Sequence, residues 1–283
     1  MQIYIPSYNR AETHSTYYVL KDMGIPSKVV VHTEKDKAEY LKFGMTEEDC
    51  LCLNAGKGLA ANRNAILKYV KENDEEDWHV QMSDDAIEFT KVHDDYYYKG
   101  EVHFPRENPK SMEKYFKIPI TTADDLNGVF YEAIDRAREI GAFLIGFAVQ
   151  DNYFFRSKKW KKTGLVDGRC WILHKNNPSF DPNCDCRDDV SQTAENLYRH
   201  GKILINNFML PDFKRYSSGG LGTPKERYEK RKEECAYLMK KYPTLFKLKH
   251  EPEKFRIDVS FKRNSPKAFE NWRAKMTLFN RNK

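Results

Sequence analysis

The 283-residue chain reads as an α/β protein, a mainly parallel central sheet flanked by helices and followed by a basic helical C-terminal segment. Three observations predict this. Short apolar runs rich in β-branched residues alternate with helical stretches through the first ninety residues, the order that builds a parallel sheet. One of these runs, Trp78 to Met82, meets two adjacent aspartates, Asp84 and Asp85, just past its end. The stretch from Thr122 to Gly141 carries Leu126, Val129, Phe130, Ala133, Ile134, Ala137 and Ile140 at helical apolar spacing.

Taken in order, Met1 to Ile5 is a first strand, closed by the turn residues of Pro6-Ser7-Tyr8-Asn9-Arg10. Thr13 to Met23 is helical and stops at Gly24. Ser27 to His32 is β-branched and reads as a second strand. Asp36 to Phe43 is a short helix, Cys50 to Leu53 a third strand, and Leu59 to Lys71 a helix opened by Gly56-Lys57-Gly58. Trp78 to Met82 is the fourth strand. Asp94 to Lys117 is aromatic, charged and irregular, a loop or small hairpin. Thr122 and Asp125 start the long helix in the manner of a capping box and Gly141 ends it. Phe143 to Val149, Gly168 to His174 and Ile203 to Phe208 are further strands, with a helix from Asp189 to His200. Ser217 to Gly222 is a loop, Lys225 to Lys241 a charged helix, and the last forty residues a basic tail with little periodicity. The division expected is a domain over residues 1–213 and a basic segment over 214–283 that packs on it. Within the domain, a nucleotide-binding half covers about 1–90 and an acceptor half about 118–213.

Composition narrows the function. No apolar run is long enough for a membrane span, and the chain starts directly on a strand pattern with no signal peptide, so a cytoplasmic location is expected. The six cysteines form no C-x-x-C pair, which argues against a zinc ribbon and for scattered reduced thiols. Cys184-Asp185-Cys186 could bind a metal, against the plainer reading of reduced thiols. Residues 1–213 hold 28 Lys and Arg against 34 Asp and Glu, whereas residues 214–283 hold 20 against 8. A C-terminal quarter this basic fits a polyanionic partner such as DNA; a lysine-rich solvated surface is the plainer alternative.

Several short motifs carry chemistry. Two carboxylates at the end of a buried strand are costly unless a cation neutralises them, and a divalent metal holding a nucleotide diphosphate does so. An ordinary acidic turn is the alternative. Tyr8 is placed to flank a base, with Asn9 and Arg10 free to fix polar atoms of a nucleotide. Gly56-x-Gly58 opens a helix, and helix N-termini favour anions; Arg63, a turn further on, can reach a phosphate or a uracil. The spacing matches neither a P-loop nor a complete dinucleotide fingerprint. Gly219 and Gly220, followed by Lys225 and Arg227, can form a lid over a diphosphate or simply a linker. Lys158, Lys159, Trp160, Lys161 and Lys162 mix phosphate-contacting cations with a stacking ring, suited to a DNA acceptor or to an exposed loop. His79, His174 and His200 read as structural, with His174 kept as a minor metal candidate.

The order I-P-S-Y-N-R, G-L-A-A-N-R-N-A-I-L, W-H-V-Q-M-S-D-D resembles that of GT-A fold nucleotide-sugar glycosyltransferases. It is most similar to the TET-associated glycosyltransferases of bacteriophages, which attach sugars to 5-hydroxymethylated pyrimidines such as 5-hydroxymethylcytosine in phage DNA. The resemblance covers roughly the first ninety residues. It implies a UDP-sugar donor, a Mn²⁺ or Mg²⁺ cofactor, and Pro6, Tyr8, Arg10 and Arg63 around the nucleotide. It makes Ser83-Asp84-Asp85 the counterpart of a D-x-D motif, with Ser83 where an aspartate is common. Asp85 then takes the metal and Asp84 the ribose or sugar. It also implies a general base for an inverting enzyme at Asp188 or Asp189, residues that would equally serve as helix caps. A glycan or protein acceptor, an inactive DNA-binding module of the same fold and a nucleotidyltransferase are the competing readings; no obligate protein partner is expected.

Overall fold

The structure, a computed structural model, describes residues 1–92, 97–98, 101–102, 117–149, 159–214, 224–254 and 256–262. Its centre is an eight-stranded sheet. The strands are β1 (Ile3–Pro6), β2 (Ser27–Val31), β3 (Cys50–Cys52), β4 (Trp78–Met82), β9 (Leu144–Phe147), β10 (Trp160–Lys161), β11 (Cys170–His174) and β12 (Leu204–Asn206). They lie in the order β10-β12-β9-β11-β4-β1-β2-β3. The block β4-β1-β2-β3 is parallel, as is the pair β9-β12. Strand β11 runs antiparallel between β4 and β9, with Cys170 opposite Met82 and His174 opposite Trp78. That reversal brings the start of β11 to the same edge as the end of β4, so Asp167 to Arg169 join the rim where β1 and β4 finish.

Residues alternate between two cores, the period of two that a strand imposes. Ile3, Ile5, Ile145, Cys170 and Ile172 enter one core with Leu20 of α1 (Thr16–Asp22) and Ala133, Ile134 and Ala137 of α4 (Ala123–Ile140). Leu144, Trp171 and Leu173 enter the other, with Val190 and Ala194 of α5 (Asp188–His200) and Cys235 and Leu238 of α6 (Pro224–Lys241). A sheet covered on both faces explains why β9 (L-I-G-F) and most of β11 (C-W-I-L-H) are apolar on both sides, while β4 buries the polar His79 and Gln81 on its second face. Helix α2 (Glu34–Lys42) starts at Thr33 with a complete capping box formed with Asp36, and α3 (Leu59–Asn73) follows β3. Thr122 caps α4 by accepting the Asp125 N–H at 3.2 Å, and Gly141 closes it in the left-handed conformation at φ 69°.

Several elements differ from expectation. Past the aspartates, where no strand is expected, the chain enters β5 (Ala86–Lys91), which pairs with β8 (Ile118–Pro119) and β13 (Met209–Phe213) in a second sheet. Between them, β6 (Tyr97–Tyr98) and β7 (Glu101–Val102) pair as a short hairpin, in agreement with the loop or small hairpin expected over Asp94 to Lys117. The C-terminal segment is not wholly helical: β14 (Phe246–Glu251) and β15 (Arg256–Phe261) form an antiparallel hairpin against α6. Its Phe246, Ile257 and Val259 share a core with Trp171, Tyr228 and Tyr242. Among the described residues no helix is long and apolar enough to cross a membrane.

Candidate active site

The Asp84-Asp85 turn is pinned from both sides. The Ser83 N–H donates to the Arg169 carbonyl at 2.7 Å, and the Ser15 N–H donates to the Asp84 carbonyl at 3.0 Å. The Thr16 hydroxyl donates to the Ser83 carbonyl at 2.6 Å and accepts the Ala86 N–H at 2.7 Å. With the backbone held, the carboxylates have fixed surroundings. The Ser7 hydroxyl donates to Asp84 Oδ2, and the Arg10 guanidinium donates to Asp84 Oδ1. Ser7 is itself bonded to the Tyr40 hydroxyl at 2.6 Å. Asp84 therefore has both oxygens engaged. Asp85 meets Arg10 only at 3.4 Å, and burial, then the neighbouring Asp84 charge, pushes its carboxyl above the usual range. The turn that carries Arg10 passes through Asn9 at φ 53°, a left-handed conformation asparagine tolerates.

The glycine entry to α3 is built around an internal anion. Gly58 sits at φ 104° and ψ 159°, backbone that only glycine adopts readily. A Cβ there would lie 2.5 Å from Asp185 Oδ2. Asp185 Oδ1 accepts the Ala60 N–H at 2.9 Å and its Oδ2 accepts Lys230 Nζ at 2.8 Å. The helix N-terminus expected to hold an external anion thus already holds a carboxylate of the same chain. Cys184 and Cys186, which flank Asp185, are buried, and burial raises both thiols.

Arg63 is also committed inside. Its guanidinium donates to the Gly168 carbonyl at 2.7 Å and to Gln81 Oε1 at 3.3 Å, and lies 4.4 Å from the Trp171 ring centroid. Its Nε is 2.9 Å from Asp188 Oδ2. Arg63 is only 2 % exposed, so it braces the wall instead of reaching into open space. Asp188 and Asp189 open α5 in its first turn, after Arg187, and neither side chain caps the helix in the manner expected. Their charge there suits the positive end of the helix. Burial is the main cause that pushes both carboxyls upward, opposed by Arg63 at Asp188 and by Arg187 at Asp189. Asp188 is tied to Arg63, whereas Asp189 remains partly open to the cavity and accepts the Val190 N–H at 2.8 Å.

These groups line one cavity of about 1020 Å³ at the rim. Pro6, Tyr8, Arg10, Arg63, Asp84, Asp85, Asp188 and Asp189 all border it. Asn9 and Lys225 do not, both being exposed nearby in sequence. Gly219, Gly220 and Lys158 lie outside the described residues. Lys159, Trp160, Lys161 and Lys162 do not border it either: β10 is the edge strand, with three strands between it and β4. Trp160 packs against the core, and Lys159 pairs with Glu132 at 2.7 Å, so the expected stacking platform is folded inward. His174 stands at the opposite end of the sheet from the aspartates, beside Trp78 and Phe143, and cannot join a metal with Asp85. His79 is buried and bonded to Gln81, and His200 packs on Phe143.

The cavity adds residues that sequence reasoning missed. His32 meets Tyr8 edge to face at 5.4 Å, and Asp167 and Arg169 are paired at 2.9 Å. Lys230 and Arg231 enter from α6 beside Arg227, which was already expected over a diphosphate. The i, i+3, i+4 spacing of those three cations was the available signal, since it places them on one helical face. Among the described residues no group of three or more His, Cys, Asp or Glu side chains is placed to hold a metal. Two carboxylates still suit a hard divalent cation whose other ligands come from a diphosphate and water, and the raised carboxyl of Asp85 is what such a cation would relieve.

No protein-family model matches the chain, and neither does any curated protein. Among solved structures it is similar to a mannosyltransferase from Pyrobaculum calidifontis in complex with GDP-Man and Mn²⁺, at 12 % identity over 90 % of this chain and 67 % of that one, TM-score 0.46. It is similar to glucosyl-3-phosphoglycerate synthase from Mycobacterium tuberculosis in complex with Mg²⁺ and UDP, at 9 % identity over 91 % and 86 %, TM-score 0.48. A third likeness is to S. aureus TarS 1-349, at 11 % identity over 84 % and 65 %, TM-score 0.39.

Proposed function

We propose that the protein is a metal-dependent glycosyltransferase that moves a sugar from a UDP-sugar to the hydroxyl of a hydroxymethylated pyrimidine in DNA. The observation that carries the reading is the joining, in one rim cavity, of the Asp84-Asp85 turn with a second carboxylate pair at Asp188 and Asp189. Separated carboxylates of this kind divide the work: one pair faces the leaving diphosphate, the other the incoming hydroxyl. The edge-to-face pair of Tyr8 and His32 supports a flat nucleobase beside Pro6.

Asp85, with Asp84 fixed behind it, would hold a divalent cation, which neutralises the leaving nucleotide diphosphate. Ser7 and Tyr40 keep Asp84 from rotating, and Arg10 adds positive charge at the same place. Asp189 takes the proton of the acceptor hydroxyl as that oxygen bonds to the sugar's anomeric carbon and the bond to the diphosphate breaks. Its partial opening to the cavity favours it over Asp188, which Arg63 holds. Arg63 therefore serves by positioning Asp188 and the wall. This assignment gives an inverting outcome.

The test is incubation with a panel of UDP-sugars, Mn²⁺ and DNA containing 5-hydroxymethylcytosine, followed by nucleoside mass analysis. A nucleoside heavier by one glycosyl unit is expected. UDP release without any DNA product would move the acceptor to a glycan or protein, and absence of UDP release with every donor would leave only a binding module.

A further inference from the structure

The three cations that α6 sends into the cavity are not equivalent. Lys230 is paired with Asp185 at 2.8 Å. Arg231 makes no ion pair among the described residues, and its buried Nε has no hydrogen-bond acceptor. Burial and then Arg187 hold its guanidinium below the usual range, and Arg227 adds a further like charge; Asp258 acts in the opposite sense but is itself paired with Arg187 at 3.0 Å. Such a cation is costly to keep partly buried beside like charges unless a ligand supplies the anion. Arg231 and Asp189 line the same cavity, and both feel the charge of Arg187 at the start of α5, so Arg231 belongs to the α5–α6 wall of that cavity. Arg10, Asp84 and Asp85 come instead from the ends of β1 and β4.

We propose that Arg231, assisted by Arg227, forms a phosphate-binding subsite for the acceptor. A guanidinium presents a planar fork that matches phosphate oxygens in two parallel hydrogen bonds. Placed beside the base, the subsite would grip a phosphate of the acceptor and present the neighbouring hydroxyl to Asp189. The placement beside Asp189 rests on the glycosyltransferase reading; the phosphate site itself rests on the unpaired guanidinium in the cavity. The phosphate could otherwise come from the donor, because UDP also carries phosphates, and the experiment has an arm for each source.

The experiment titrates inorganic phosphate into protein first saturated with UDP and Mn²⁺, and separately titrates UDP with Mn²⁺ into the free protein, for wild type, Arg231→Ala and Arg231→Lys. Phosphate binding to the UDP-loaded protein is expected, weakened at least tenfold by Arg231→Ala and less by Arg231→Lys, with UDP affinity unchanged. A tenfold loss of UDP affinity in Arg231→Ala would assign the residue to the donor and overturn the proposal. So would phosphate binding that is absent or indifferent to the substitution. Transfer assays on the same variants report on the parent reading separately. If Arg231→Ala shifts phosphate binding while no variant transfers sugar, the subsite stands and the glycosyltransferase reading falls.

Discussion

Asp188 and Asp189 show how much a single side chain's surroundings decide. Sequence places them together, and nothing in the pair separates base from brace. The structure separates them by partner: Arg63 holds Asp188, and Asp189 opens on the cavity. Because burial raises the Asp189 carboxyl, it ionises only as pH rises above the ordinary carboxylate range. Transfer is expected to decline on the acid side at a correspondingly high pH. Asp189→Asn should remove that limb and slow transfer by about 10²–10⁴-fold, the usual worth of a general base. A pH–rate profile of both enzymes checks it, and an unchanged acid limb in the variant would reassign the base. Arg63 gives a stability prediction. Arg63→Ala leaves Asp188 buried beside no cation and should destabilise the fold by about 3–5 kcal/mol. Adding Asp188→Asn should recover part of that loss in urea unfolding; equal loss in single and double variants would show that the pair is not coupled.

At the scale of elements, the strands were legible where both faces are buried, as in Trp78 to Met82 and Cys170 to His174. Long helices with caps were equally plain, Thr122 to Gly141 above all. The hairpin over 246–261 was not. Phe246 is the one buried residue of the first strand, followed by exposed Lys247, Leu248 and Lys249, and the hairpin buries apolar side chains only through Phe246, Ile257 and Val259. Strand β5 was hidden because Ile87 and Glu88 are exposed and its pairing partners are remote in sequence. The glycine motif was visible, but its occupant was not: Asp185 lies 127 positions beyond Gly58, inside a Cys-x-Cys that draws attention to sulfur. The backbone of Gly58 supplies a direct check. Gly58→Ala combines a glycine-only conformation with a Cβ driven against Asp185, and should cost about 3 kcal/mol or more. A shift of the unfolding midpoint toward lower denaturant is the expected result; an unchanged midpoint would mean that α3 starts differently.

Across the whole molecule, the contrast in charge between residues 1–213 and 214–283 survives folding in a specific form. The acidic part supplies Asp84, Asp85, Asp185, Asp188 and Asp189 to the cavity, and the basic part supplies Arg227, Lys230 and Arg231 to the same space. Sequence placed the basic partner of the polyanion in both the C-terminal segment and Lys158 to Lys162, and the described part of that stripe is at the far sheet edge. If DNA reaches the cavity along α6, its binding is expected to weaken steeply with salt, and Arg231→Ala should flatten the slope of log affinity against log salt by about one unit. Lys162→Ala should leave that slope unchanged, a contrast read by titration of a labelled duplex at several salt concentrations.

The central claim is that Asp85 holds the cation on which sugar transfer from a nucleotide depends. It is tested most directly by measuring UDP release from UDP-sugars, with and without Mn²⁺, for wild type and Asp85→Ala, alongside Mn²⁺-dependent UDP binding. The account predicts release that requires the metal in the wild type, a loss of at least about 10²-fold in Asp85→Ala, and a parallel loss of metal-dependent UDP affinity. Full metal-dependent release by Asp85→Ala would contradict it.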